Sequence, residues 1–96
     1  MSKFNYFAEI SVDGYDFPVI PQVNFGFISQ GFALLSRSAH DIEYSFDGTN
    51  VHGDLAVADP SRGIIFDFRQ ECKIWLRAAP GTGRGYGVCR VEAWAK

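Results

Sequence analysis

The sequence predicts an all-β fold, an antiparallel β-sandwich of about seven or eight short strands in a single domain over 1–96, with no substantial helix. Three observations predict it. Apolar and polar residues alternate with the two-residue period of half-buried strands in almost every segment. Turn residues stand at nearly every junction between those segments. No stretch combines a helical apolar period with caps. Local pattern leaves strand order open, so jelly-roll and Ig-like topologies both fit.

Phe4, Tyr6, Ala8, Ile10 and Val12 share one face of a first strand, with Phe7 on the other face beside Asn5, Glu9 and Ser11. Asp13-Gly14 follows as a turn. Phe17-Pro18-Val19-Ile20-Pro21 is held extended by its two prolines, which suits an edge or a connecting arm. Val23, Phe25 and Phe27 mark another strand, opposite Asn24, Gly26 and Ile28. The run 31–36 reads as strand rather than one helical turn, because Gly31 precedes it and no cap follows. Ile42, Tyr44 and Phe46 then alternate with Glu43, Ser45 and Asp47, and Asp47-Gly48 supplies the turn into a strand at about 51–57.

After the loop 59–63, Ile64, Phe66 and Phe68 alternate with Ile65, Asp67 and Arg69. Cys72, Ile74, Leu76 and Ala78 oppose Lys73, Trp75 and Arg77. A glycine-rich loop leads into the last strand, where Cys89, Val91, Ala93 and Ala95 oppose Val88, Arg90, Glu92 and Trp94. The expected core contains Phe4, Tyr6, Phe25, Phe27, Tyr44, Phe46, Phe66, Phe68, Ile74 and Leu76. Phe7, Ile28, Ile65, Trp75 and Trp94 fall on the opposite faces. Either they contact another chain, or the facing of a strand or two is reversed.

The bulk composition bounds the function. Hydrophobic residues are 47% of the chain and aromatics 16%, enough for a packed core and too much for a disordered chain. The net charge of −2 gives no general attraction for phosphates, so nucleic acid is not an expected partner. No apolar run approaches a membrane span of roughly 20 residues, and the first residues lack the apolar stretch of a secretory signal. The expectation is a chain made in a cytoplasm, with Cys72 and Cys89 as reduced thiols rather than a disulfide.

The candidate chemical motifs are weak. Gly81, Gly83, Gly85 and Gly87 precede a strand, whereas a dinucleotide or phosphate loop opens a helix. One Arg84-Gly-Tyr86 does not make an RNA-binding segment. His40, Asp41, Glu43, Asp47, His52 and Asp54 gather around the central hairpin, but the ligand count of a zinc site is not met. Asp47, Asn50 and Asp54 lack the spacing of a calcium loop. Ser36, Ser38 and His40 have no nucleophile elbow around them, and neither cysteine has a base on its own face. The chain is expected to be no enzyme and to need no cofactor or metal. Trp75, Trp94 and Tyr86 would suit a carbohydrate-binding β-sandwich if they formed one platform, and this is the alternative reading.

Ile42-Glu-Tyr-Ser-Phe-Asp-Gly48, Val51-His-Gly-Asp-Leu55, Lys73-Ile-Trp-Leu-Arg77 and Val91-Glu-Ala-Trp94 resemble small virion proteins of tailed bacteriophages. The likeness spans about residues 40–96 and rests on short structural motifs, with no catalytic residue to carry over. It implies a β-sandwich block of the particle: a head decoration protein, or a head-to-tail, tail or fibre component. Its partners would be copies of itself and capsid, portal, adaptor or tail proteins, and its location the virion. The interface candidates are Phe17, Pro18, Val19, Ile20, Pro21, Trp75, Arg84, Tyr86 and Trp94.

Overall fold

A computed structural model of the protein describes residues 4–37, 41–56, 63–79 and 86–95. Eight strands form two four-stranded antiparallel sheets, with no helix among the described residues. They are β1 (Phe4–Asp13), β2 (Val23–Asn24), β3 (Gly31–Ser36), β4 (Ile42–Ser45), β5 (Gly53–Leu55), β6 (Gly63–Phe66), β7 (Lys73–Ala78) and β8 (Tyr86–Ala95). One sheet has the order β1-β8-β3-β6 and the other β2-β7-β4-β5. We call them sheet A and sheet B.

The order resolves the topology that local pattern left open. Strands pair as 1 with 8, 2 with 7, 3 with 6 and 4 with 5, like one long hairpin rolled across two layers. Every connection except β4 to β5 crosses from one sheet to the other. This is jelly-roll topology.

The inward faces meet in one apolar cluster. β3 and β8 contribute Phe32, Leu34, Cys89 and Val91 from sheet A, and β4 and β7 contribute Ile42, Tyr44, Ile74 and Leu76 from sheet B. Each fully buried Phe, Leu, Ile or Val among them contributes roughly 1.5–3 kcal/mol of transfer free energy. Phe32 sits at the centre of the aromatic packing, 4.8 Å from Phe66 and 5.7 Å from Phe46 between ring centroids. Of the expected core, Phe25, Tyr44, Ile74 and Leu76 are buried, and Tyr6, Phe27, Phe46 and Phe66 pack partly buried against them. The side chain of Phe4 lies outside the described residues.

Phe68 is the correction: it is 87% exposed. The alternation ends at Phe66, where the chain turns at Asp67 and Phe68, and the turn carries Phe68 out of the sheet. The next residue, Arg69, lays its guanidinium 4.2 Å from the Phe46 ring centroid. Buried Ser29 fixes the segment that follows. Its hydroxyl donates to the Arg69 carbonyl at 2.8 Å and accepts from the Glu71 N–H at 2.9 Å.

Two other strands stop short of their alternating pattern for similar reasons. β2 ends at Asn24, whose side-chain oxygen accepts the Gly26 N–H at 3.0 Å, and Gly26 turns the chain with φ 77°. β4 ends at Ser45 because Ser45 and Asp47 capture the next backbone N–H groups: Ser45 takes those of Asp47 and Gly48, and Asp47 those of Thr49 and Asn50.

Candidate interaction surface

The two sheets turn very different outer faces to solvent. On sheet B the outward side chains are mostly polar and find partners within the chain. Glu43 lies opposite Arg77, and the two form an ion pair at 2.8 Å. The Arg77 guanidinium also lies 4.5 Å from the centroid of the Phe17 ring. Trp75 is half-buried with its indole on Gly48. A Cβ at Gly48 would come within 2.9 Å of that ring, and the residue has φ 81°, so glycine is required twice over.

The proline arm joins this face through Gln22. In the β2–β7 register Val23 faces Ile74, which places Pro21 opposite Leu76. Pro21 has no N–H to give. The Gln22 side chain completes the ladder instead: its Nε2 donates to the Leu76 carbonyl at 2.6 Å, and its Oε1 accepts the Leu76 N–H at 2.9 Å. An amide side chain has both a donor and an acceptor, so it can stand in for a peptide group.

The β4–β5 loop is cross-linked as tightly. The Asp47 carboxylate accepts from the Asn50 and Thr49 N–H groups at 2.8 Å each and from the Asn50 side chain at 2.8 Å; the Ser45 hydroxyl adds a bond of 2.9 Å. These donors, the Asn50 N–H foremost, hold the carboxyl well below the usual carboxylate range. His52 accepts the Phe46 N–H at its Nδ1, 3.0 Å away. Of the polar residues noted around this hairpin, Asp47 and His52 are committed to the loop itself and Glu43 to Arg77, while His40 lies outside the described residues. No three His, Cys, Asp or Glu side chains converge as metal ligands among the described residues.

Sheet A presents the opposite character. Across its outer face the register aligns Phe7 on β1, Glu92 on β8, Ala33 on β3 and Ile65 on β6. The next row contains Glu9, Arg90, Leu35 and Gly63. Phe7 is 56% exposed and Ile65 66% exposed. An open cleft of about 690 Å³ lies over β3, β6 and β8, lined by Ala33, Leu35, Gly63, Ile65, Arg90 and Glu92. At Gly63 a Cβ would come within 2.6 Å of the Leu34 carbonyl oxygen and 3.1 Å of the Leu35 side chain, so β6 can lie this close to β3 only with glycine there. The Arg90 guanidinium lies 4.6 Å from the Phe7 ring centroid and 3.6 Å from the Glu92 carboxylate. A smaller cleft at the end of the sheet contains exposed Ile28 and Phe68.

The sequence candidates divide between these surfaces. Phe17 and the half-buried Pro18 and Pro21 belong to the sheet B side, and Val19 and Ile20 project from the arm, Val19 at 97% exposure. Trp75 faces outward from sheet B, whereas Trp94 faces outward from sheet A, opposite Asn5 and against Gly31. The two tryptophans are thus on opposite sides of the sandwich and form no common platform. Arg84 and the side chain of Tyr86 lie outside the described residues. Leu35, Ala33 and Ile64, which the candidates omitted, belong to the apolar surface of β3 and β6. Outward alternation marks Ala33 and Leu35, but without strand order nothing joins them to Phe7 and Ile65.

The cysteines are unpaired. Cys89 is fully buried on β8, and burial pushes its thiol up to about 12, so it stays protonated at neutral pH. No family model matches the chain, and no curated protein or solved structure matches it.

Proposed function

We propose that the chain is a structural subunit of a bacteriophage particle, a jelly-roll block that packs against capsid, head-tail or tail proteins and stabilises the assembly. The observation that carries this reading is the outer face of sheet A, where Phe7, Ala33, Leu35 and Ile65 stand around a single Arg90–Glu92 pair. Contiguous exposed apolar surface of this kind on a small domain serves contact with other molecules. The motif likeness at 40–96 supplies the phage context, and jelly rolls are among the folds that build viral shells. That last point is an analogy at the level of fold and adds weight only beside the surface.

The work of such a subunit is mechanical. Its core holds the sandwich rigid, and the apolar face, the arm tip at Val19 and Ile20 and the Ile28–Phe68 corner bury against neighbours. The test is mass spectrometry of purified phage particles produced from a genome encoding this chain. The chain is expected in fixed, repeated copy number per particle. Its absence from particles, with the protein present in the infected cell, would refute the proposal.

A further inference from the structure

We infer that β1 is a self-pairing edge, through which two copies of this chain join their A sheets antiparallel about a two-fold axis. β1 lies at the edge of sheet A, with β8 on one side only. The direction of its free groups follows from the register. Arg37 donates its N–H to the Val88 carbonyl at 2.9 Å, so Val88 points its backbone groups toward β3. Direction alternates along a strand, so Cys89, Val91, Ala93 and Ala95 point theirs toward β1, where they face Ile10, Ala8, Tyr6 and Phe4. The N–H and C=O groups of Asn5, Phe7, Glu9 and Ser11 therefore point away from the sheet. Among the described residues none of these four has a backbone partner on that side.

An edge of this kind is normally blunted by a proline, a lysine, a bulge or shortness. β1 has none of them. It is ten residues long, reads Phe-Asn-Tyr-Phe-Ala-Glu-Ile-Ser-Val-Asp, and keeps unbroken one-to-one register with β8 from Phe4 to Asp13. Its exposed Phe7 would be an odd choice for a strand that stays in water.

The occupant is a second β1 because the strand complements itself. Pairing the four outward residues with one another leaves three registers near the middle of the strand. Centring on Glu9 sets two carboxylates face to face. Centring on Phe7 leaves Ser11 unpaired. Centring on Ala8 places Phe7 opposite Glu9 of the second copy and Asn5 opposite Ser11 of the second copy. Four hydrogen-bonded residue pairs with two bonds each then satisfy about eight orphan groups on each copy. That register also satisfies charge. Arg90 lies over Phe7, so Glu9 of the second copy arrives beside a guanidinium held on the same face. The result is an eight-stranded sheet that carries both apolar clefts on one surface. The pairing rests on the edge itself and holds whether or not the particle is a phage's.

The test is sedimentation equilibrium across a concentration series on the wild type, Glu9→Pro and Phe7→Lys, with circular dichroism to confirm folding. The Glu9 N–H points outward, so proline there removes an edge donor and no bond to β8. Wild type should reach twice the 10.7 kDa of one chain, and both folded variants should stay single. In the wild-type dimer the amides of Phe7 and Glu9 should exchange with solvent at least tenfold more slowly than in Phe7→Lys or Glu9→Pro at the positions each retains. A wild type that remains single at every concentration overturns the inference. So does a folded Phe7→Lys that still dimerises, or wild-type edge amides that exchange at unprotected rates. Particle incorporation is measured separately, so a chain that enters particles as a monomer would sink this pairing and leave the proposed function standing.

Discussion

The outer faces of the two sheets are built from the same kind of strand and end in opposite states. On sheet B, outward positions are closed by the chain itself: Trp75 on Gly48, Arg77 between Glu43 and Phe17, Gln22 on Leu76. On sheet A, the outward Phe7, Leu35 and Ile65 surround one modest ion pair and an open cleft. The difference teaches how to separate stability from assembly in a domain this small. A partly buried side chain that fills its own chain's gaps stabilises the fold. One that borders an open cleft stabilises only what comes to fill it.

The comparison can be broken most forcefully at Trp75. Trp75→Ala uncovers Gly48 and should cost about 3 kcal/mol in chemical denaturation, near the lower end for loss of a buried large aromatic. A cost below about 1 kcal/mol would show that its face is not sealed. Gln22→Ala strands the Leu76 N–H and carbonyl and should cost roughly 1–3 kcal/mol. Gln22→Glu removes only the donor, so a smaller loss there would sharpen the assignment of the amide as a peptide mimic.

How much of this was legible in the sequence depends on the range of the interaction. The strand at 31–36 could be read from Gly31 and the missing cap, and alternation placed Phe7, Ile65, Trp75 and Trp94 outward. Alternation states only that a side chain leaves its own sheet. It says nothing about which sheet, so the separation of Trp75 from Trp94 required the strand order. The arm at 17–21 was legible as extended because proline acts locally. The bond from Gln22 to Leu76 spans 54 positions and depends on register. Phe68 leaves the expected face because the strand stops at Phe66 and residue 68 lies in the turn, and a turn is set by backbone geometry rather than by alternation. Side-chain capture of backbone groups, as by Ser45 and Asp47, likewise ends a strand where the apolar pattern would continue it.

Smaller effects sharpen the contrast. The Asp47 carboxyl is depressed in the folded chain, so its contribution is present above the unfolded value, near 3.9, and is lost as pH falls through the folded one. Acid titration of the Thr49 and Asn50 amide signals should show no change from pH 7 down to about 4 and loosening only below it. In Asp47→Asn that acid transition should vanish. Smallest of all for stability is Ile65→Asp, an exposed change on β6 expected to stay within about 0.5 kcal/mol of the wild type. Its effect should fall on assembly instead.

The most direct measurement is therefore the copy number per particle, read by mass spectrometry of purified particles, for three proteins: the wild type, Ile65→Asp on sheet A and Lys73→Asp on sheet B. Lys73 is an exposed outward residue of β7 and provides the matched control. The account predicts the same fixed copy number for the wild type and Lys73→Asp. It predicts a marked loss of incorporation for Ile65→Asp, with all three unfolding at similar denaturant concentrations. A wild type absent from particles, or incorporation lost through Lys73→Asp and kept in Ile65→Asp, would contradict the claim that the outer face of sheet A is the contact surface.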